Sequence, residues 1–341
     1  MKISSPLQAA EKILLVAPHR LGDTLFATPG IRALRQAKPH AQIDAVALSG
    51  LSHELLAHNS CINTLYSAKE RPIAELAAEY DAVLPLQNIN KVTEYLKDIP
   101  GVLMLPRYEG AFHYSENFYR FVLQQLPSAA EFPAGPYELN VNAQDKADAD
   151  RLLKSIPAAP EPFVIALHMG CHQISKKGQR FLYKLFPFLM TKDTRSWSFK
   201  RFDQLVQRLV RQHPAVYVVL TGSTSEAFAA DALSAHPHIL NLIGKTNVGQ
   251  LAAVLQRCQL LLTGDTGPMH VACAVERPMV LLCGKTDPAQ TGPYPMHAHH
   301  SIIRKDGMDN ISVDEVYQAV TRYLPQASTT RASVTTPSAL A

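Results

Sequence analysis

The stretch that decides the fold is ILLVAPHRLGDTLFATPGIRALRQA, residues 13 to 37. Its first five residues, Ile13 to Ala17, are an apolar run too short for a helix and ended by Pro18, so they predict a buried strand. Beyond a loop containing Gly22, the apolar spacing becomes helical from about Thr24 to Ala37. Outward from this βα unit the alternation continues. Ile43 to Leu48 reads as a strand, a helix follows near His53, and Asp81 to Leu84 and Val102 to Leu105 read as further strands. A helix over Ser115 to Gln125 puts Phe118, Phe121 and Val122 on one face, and another lies near Asp145 to Lys154. Strands alternating with helices imply a doubly wound parallel α/β sheet.

The pattern then repeats. Strands are expected at Phe163 to Leu167, Tyr217 to Thr221, Ile239 to Asn241, Leu260 to Thr263 and Met279 to Leu282, with helices over Phe202 to Arg211 and Val248 to Arg257. Pro157, Pro160 and Pro162 mark a linker between the two units. We therefore divide the 341 residues into domains 1–157 and 158–325, with 326–341, rich in Ser, Thr and Ala, as a disordered tail.

Composition narrows the function. Apolar residues at 47% and charged residues at 18% fit a globular chain, and a net charge of +4 does not announce a nucleic-acid partner. Five scattered cysteines without a C-x-x-C pair suggest neither a disulfide framework nor a zinc finger, and favour the cytoplasm. Histidines 297, 299 and 300 lack carboxylate or cysteine companions and read as a solvated loop rather than a metal site.

Two motifs carry chemistry, each directly after a predicted strand. In Pro18-His19-Arg20-Leu21-Gly22-Asp23-Thr24, Asp23 stands at the mouth of a helix, where it would meet a ligand or cap the helix. In Thr263-Gly264-Asp265-Thr266-Gly267-Pro268-Met269-His270, the start of the next helix offers N–H groups to a phosphate, and Asp265 can accept from sugar hydroxyls or act as a cap. The segment Cys283-Gly284-Lys285-Thr286-Asp287-Pro288 follows the next strand and lies at the same sheet edge. G-x-G-x-x-G is absent, which argues against a dinucleotide oxidoreductase.

Taken together, R-L-G-D-T-L-F-A-T-P-G-I-R-A-L-R, D-T-G-P-M-H-V-A-C-A-V-E-R-P and C-G-K-T-D-P resemble the heptosyltransferases of glycosyltransferase family 9, over about residues 12 to 320. The resemblance implies the glycosyltransferase-B fold of two Rossmann-like domains facing a cleft. It also implies transfer of heptose from ADP-heptose to the inner core of lipopolysaccharide, with inversion and without a metal ion or other cofactor.

By the same resemblance Asp23 is the general base. Donor binding falls to Asp265, Thr266, Gly267, Pro268 and His270, with Glu226 on the ribose and Lys245 and Thr246 beside the adenine. The family's phosphate-binding lysine is replaced by Arg195 in Arg195-Ser196-Trp197-Ser198, and Lys176 or Lys177 in the preceding insertion is an alternative cation. For an anionic glycolipid acceptor of the lipid A-Kdo type, Arg20, Arg107, His113 and Arg120 are the candidates. The expected place of work is the cytoplasmic face of the inner membrane, through a peripheral contact. Two alternatives stay open: a related transferase using another nucleotide sugar, and a non-catalytic module that binds sugar nucleotides or glycans.

Overall fold

A computed structural model describes residues 5–107, 112–158, 161–170 and 195–325. Lys176, Lys177, Cys171 and the tail from residue 326 lie outside the described residues. Short helix α1 (Pro6–Ala9) leads into β1 (Lys12–Ala17), α2 (Leu21–Ala37), β2 (Gln42–Ala47), α3 (Gly50–Leu56), β3 (Leu65–Ser67), α4 (Ile73–Ala77), β4 (Ala82–Pro85) and α5 (Asn90–Leu96). Helices α6 (Glu116–Gln125) and α7 (Ala143–Leu153) complete the first half. The strands form a parallel sheet in the order β3-β2-β1-β4.

In the second half come β5 (Phe163–His168), α8 (Phe199–Gln212), β6 (Val216–Thr221), β7 (Ile239–Asn241), α9 (Val248–Arg257), β8 (Leu260–Gly264), α10 (Gly267–Ala274), β9 (Met279–Cys283), α11 (Pro288–Thr291), β10 (His300–Arg304) and α12 (Val313–Thr321). This sheet is also parallel, ordered β10-β9-β8-β5-β6-β7. Every strand is thus followed by a loop at the carboxyl edge of its sheet, where the candidate site residues were expected.

The elements form where burial dictates. In α8, Phe199, Phe202, Leu205, Val206, Leu209 and Val210 recur three and four residues apart and are buried, while the charged residues lie on the other side. Strands β5, β8 and β9 are buried at every position, as expected of a sheet covered on both faces. One hydrophobic cluster joins Leu25, Phe26 and Leu84 of the first half to Met269, Ala272 and Cys273 of the second, so the two halves share a core across their boundary.

Three expectations need correction. Val102 to Leu105 is not a strand: Val102 makes a single bridge to Val83 after Gly101, whose φ of 77° breaks the extended chain. Helix α2 starts at Leu21, not Thr24, so Asp23 lies inside its first turn. His300 opens an edge strand and is buried, so of the three histidines only the partly exposed His297 and His299 lie in a loop. No described helix is long and apolar enough to cross a membrane.

A buried carboxylate holds the outer part of the first sheet. Asp44 is fully buried in β2 and accepts from Gln42 Nε2 at 2.7 Å, the Thr64 N–H at 2.8 Å and the Tyr80 hydroxyl at 2.5 Å. Removing it leaves a cavity in β2 and takes the acceptor from the Thr64 and Tyr80 donors at a part-buried site. Asp44→Ala is expected to lower the unfolding free energy by about 1–3 kcal/mol, read as a shift of the urea midpoint at constant slope.

Candidate active site

The loops after β1 and β8 meet. A Cβ added at Gly22 would lie 2.8 Å from the His270 ring, and one added at Gly267 would lie 3.1 Å from Leu21. Only glycine at position 22 lets the first turn of α2 lie this close to α10. His270 is buried and packs edge-on against Phe26 with ring centres 4.7 Å apart, and against Tyr137 at 5.9 Å. Its Nδ1 has no hydrogen-bond partner, and burial lowers its pKa to about 3.

Neither aspartate is a cap. The N-cap of α2 is Arg20, with Asp23 three residues inside, and the N-cap of α10 is Thr266. Asp23 Oδ2 is buried without a hydrogen-bond partner. Burial raises the Asp23 pKa above the usual carboxylate value, and the positive charges of Arg20 and Arg195 pull it partly back. A carboxylate so placed is more basic than one in water and has an oxygen available to take a proton.

Arg195 joins the two loops. Its Nη1 lies 3.3 Å from Asp265 Oδ2, while its charge also acts on Asp23. Asp265 is only 4% exposed, at the end of β8 beside the amino end of α10. Helix α10 carries no side-chain cap; in its first turn Pro268 has no N–H and the Met269 N–H donates to Thr266 O at 3.1 Å, so the Gly267 N–H is the one without a side-chain acceptor. The arginine is set by its neighbours: Ser196 Oγ donates to Met169 O at 2.7 Å, and Trp197 Nε1 donates to Ile311 O at 2.9 Å. A Cβ at Gly264 would lie 2.6 Å from the Arg195 carbonyl oxygen, which explains the glycine there.

Because Arg195 stabilises the Asp23 carboxylate, replacing it with glutamine is expected to raise the Asp23 pKa. The acidic limb of the pH profile of kcat/KM then moves to higher pH in Arg195→Gln. An unmoved limb would separate Arg195 from Asp23.

The remaining candidates are spread along the two edges. Glu226 follows β6 and is buried, with Oε2 accepting from the Ser223 N–H and hydroxyl, each at 2.8 Å. Its Oε1 lies 3.8 Å from His168 Nε2. His168 closes β5, was not singled out by its sequence, and bonds Thr221 O through Nδ1 at 3.1 Å. Lys245, after β7, is exposed and donates to Asn241 O at 2.8 Å, with partly buried Thr246 beside it. Thr266 and Pro268 are partly buried at the start of α10.

On the first half, Arg20 and Arg107 are exposed. Arg120 pairs with Glu116 at 2.7 Å and lies 4.2 Å over the Phe112 ring. His113 is buried and reaches across the cleft. The Ser115 N–H donates to Nδ1 at 3.1 Å, so the proton sits on Nε2, which donates to Gly292 O at 2.9 Å. Burial lowers its pKa, and the ring stacks on Tyr294 at 4.9 Å. Among the described residues, no group of three His, Cys, Asp or Glu side chains is arranged to hold a metal ion.

Comparison with known proteins identifies the family. The sequence profile described as glycosyltransferase family 9 (heptosyltransferase) matches residues 142–317, more than half of the chain. The chain belongs to glycosyltransferase family 9. It is therefore a glycosyltransferase enzyme with the glycosyltransferase-B fold, and Arg195 and Asp265 lie within the matched residues.

Solved structures agree on the fold. A family 9 glycosyl transferase from Veillonella parvula superposes with a TM-score of 0.71 at 20% identity, covering 92% of this chain and 97% of the other. E. coli ADP-heptose lps heptosyltransferase II gives 0.69 at 20% identity, covering 92% and 98%. E. coli heptosyltransferase WaaC with ADP gives 0.61 at 15% identity, covering 92% and 100%. No curated protein matches the chain.

Proposed function

We propose that this family 9 enzyme transfers heptose from ADP-heptose to an inner-core sugar of lipopolysaccharide, with Asp23 as the general base. The observation that carries the reading is Asp23 itself, a carboxylate with raised pKa and an unpartnered buried oxygen, linked through Arg195 to the donor-side Asp265. The acceptor hydroxyl oxygen attacks the anomeric carbon, and the bond from that carbon to the β-phosphate oxygen breaks. ADP departs, Asp23 receives the hydroxyl proton, and the anomeric configuration inverts.

Negative charge grows on the departing diphosphate, and the guanidinium of Arg195 and the Gly267 N–H at the amino end of α10 are suited to stabilise it. Asp265 serves the transferred sugar. The nucleotide would extend along the carboxyl edge from β8 towards β6 and β7, where Glu226 and Lys245 lie. In this assignment domain 1–157 takes the acceptor and domain 158–325 the donor. Two solved structures of this fold are described as ADP-heptose lps heptosyltransferase II and as heptosyltransferase WaaC with ADP, which supports the reading.

On the acceptor side, exposed Arg20, Arg107 and Arg120 offer positive charge to an anionic glycolipid of the lipid A-Kdo type. Work at the cytoplasmic face of the inner membrane, held by a peripheral and salt-sensitive contact, belongs to the same proposal. Arginine at position 195 also allows one alternative, a different nucleotide sugar, because its planar fork meets the diphosphate with a geometry unlike that of lysine.

Thermal shift with ADP-heptose, UDP-sugars and GDP-sugars separates the readings, since a ligand that binds only the folded state raises its melting temperature. Selective stabilisation by ADP-heptose is expected. Stabilisation by a UDP- or GDP-sugar alone would remove the heptose assignment.

A further inference from the structure

The Asp265 carboxylate has a partner that no family motif above assigns. Thr291, the last residue of α11, donates its hydroxyl to Asp265 Oδ2 at 3.0 Å. Arg195 approaches the same oxygen at 3.3 Å. Among the described residues both partners take Oδ2, so their combined effect is to set the rotation of the carboxylate and present Oδ1.

Thr291 is itself held from two sides. Within the second half, Asp287 caps α11 by accepting from the Ala289 N–H at 3.3 Å, and Arg304 lies 3.3 Å from Asp287. Across the cleft, the Tyr114 N–H donates to Gln290 O at 2.9 Å, and His113 Nε2 donates to Gly292 O at 2.9 Å. The residues on either side of Thr291 are therefore bonded to the first half, while its hydroxyl reaches the donor-side carboxylate of the second.

We propose that Thr291 is a positioning residue for donor recognition: its hydroxyl fixes the Asp265 carboxylate for the transferred sugar, and His113 and Tyr114 hold it in place across the cleft. The inference rests on the reading of Asp265 as the sugar-binding carboxylate. It gives His113 a task other than touching the acceptor, since both of its ring nitrogens are engaged within the protein.

The experiment is calorimetric titration of ADP-heptose and of ADP into wild type, Thr291→Val, Thr291→Ser and Asp265→Asn. Valine keeps the shape and removes the hydroxyl, whereas serine keeps the hydroxyl. Thr291→Val is expected to weaken ADP-heptose about tenfold, the scale of one hydrogen bond to a charged group, and to leave ADP unchanged. Thr291→Ser is expected to bind both ligands as wild type does.

Equal weakening of ADP and ADP-heptose in Thr291→Val would mean a general structural role and overturn the proposal. So would wild-type affinity for ADP-heptose in Thr291→Val while Asp265→Asn weakens it, which leaves the Asp265 reading intact. If Asp265→Asn itself binds ADP-heptose as wild type does, the Asp265 reading fails and the role of Thr291 falls with it.

Discussion

Asp23→Asn is expected to lower turnover by about 100- to 10,000-fold, the range over which a positioned acid or base contributes to catalysis. Asparagine keeps the size of the side chain and a carbonyl oxygen but has no basic site for the acceptor proton. Because the Asp23 carboxylate is on the first half and the donor residues are on the second, donor affinity should be close to wild type. The wild-type profile of kcat/KM should also fall on its acidic side at a pH above the ordinary aspartate pKa of 3.8, because burial raises Asp23. Single-turnover kinetics beside donor titration would check both parts. A fall in kcat/KM matched by an equal loss of donor binding would mean that Asp23 holds the donor rather than the proton.

The second large effect is on acid stability, and its source is His270. In the unfolded chain this histidine titrates near 6.5, and in the fold near 3, because protonation would place a charge in a closed contact with Phe26 and Tyr137. Its folded pKa is depressed, so below pH 6.5 the unfolded state binds the extra proton and the folded state does not. The stability contribution is thus complete above about pH 6.5 and is lost as pH falls towards 3.

The slope for this one group is about 1.4 kcal/mol per pH unit, which accumulates to roughly 4–5 kcal/mol at the bottom of that window. Burial of His113 acts with the same sign. The comparison of wild type with His270→Asn isolates the residue: the urea midpoint of wild type should fall more steeply between pH 6 and about pH 4 than that of the variant. Parallel curves would mean that His270 takes its proton in the folded state.

Much of this architecture is legible in the residues because burial and periodicity coincide. Ile239–Asn241 and Val248–Arg257 have the bounds their apolar spacing predicts, and the strands at β5, β8 and β9 differ from expectation by a single residue at the carboxyl end. Helix α2 was cut short because Arg20-Leu21-Gly22 contains no capping side chain and a glycine that reads as loop. The reason for that glycine, the ring of His270, comes from the other half of the chain. Strand β10 was missed because an edge strand with only His300 buried shows no apolar run.

The same division holds at the site. Asp23 and Asp265 stand out because each belongs to the segment that follows a predicted strand, and topology alone sends such segments to the carboxyl edge of the sheet. Thr291, Tyr137 and His168 carry no such mark, since their roles depend on contacts with residues distant in the chain. His113 was legible as a residue of interest, but its partner Gly292 lies 179 positions away, which no local pattern encodes.

The most direct test of the account is to incubate the protein with ADP-heptose, with and without a Kdo-terminated lipid A acceptor, and to measure ADP release together with acceptor mass. The account predicts acceptor-dependent ADP release, one heptose added per ADP, and loss of both in Asp23→Asn. Stable binding of ADP-heptose with no ADP released and no change in acceptor mass would contradict it.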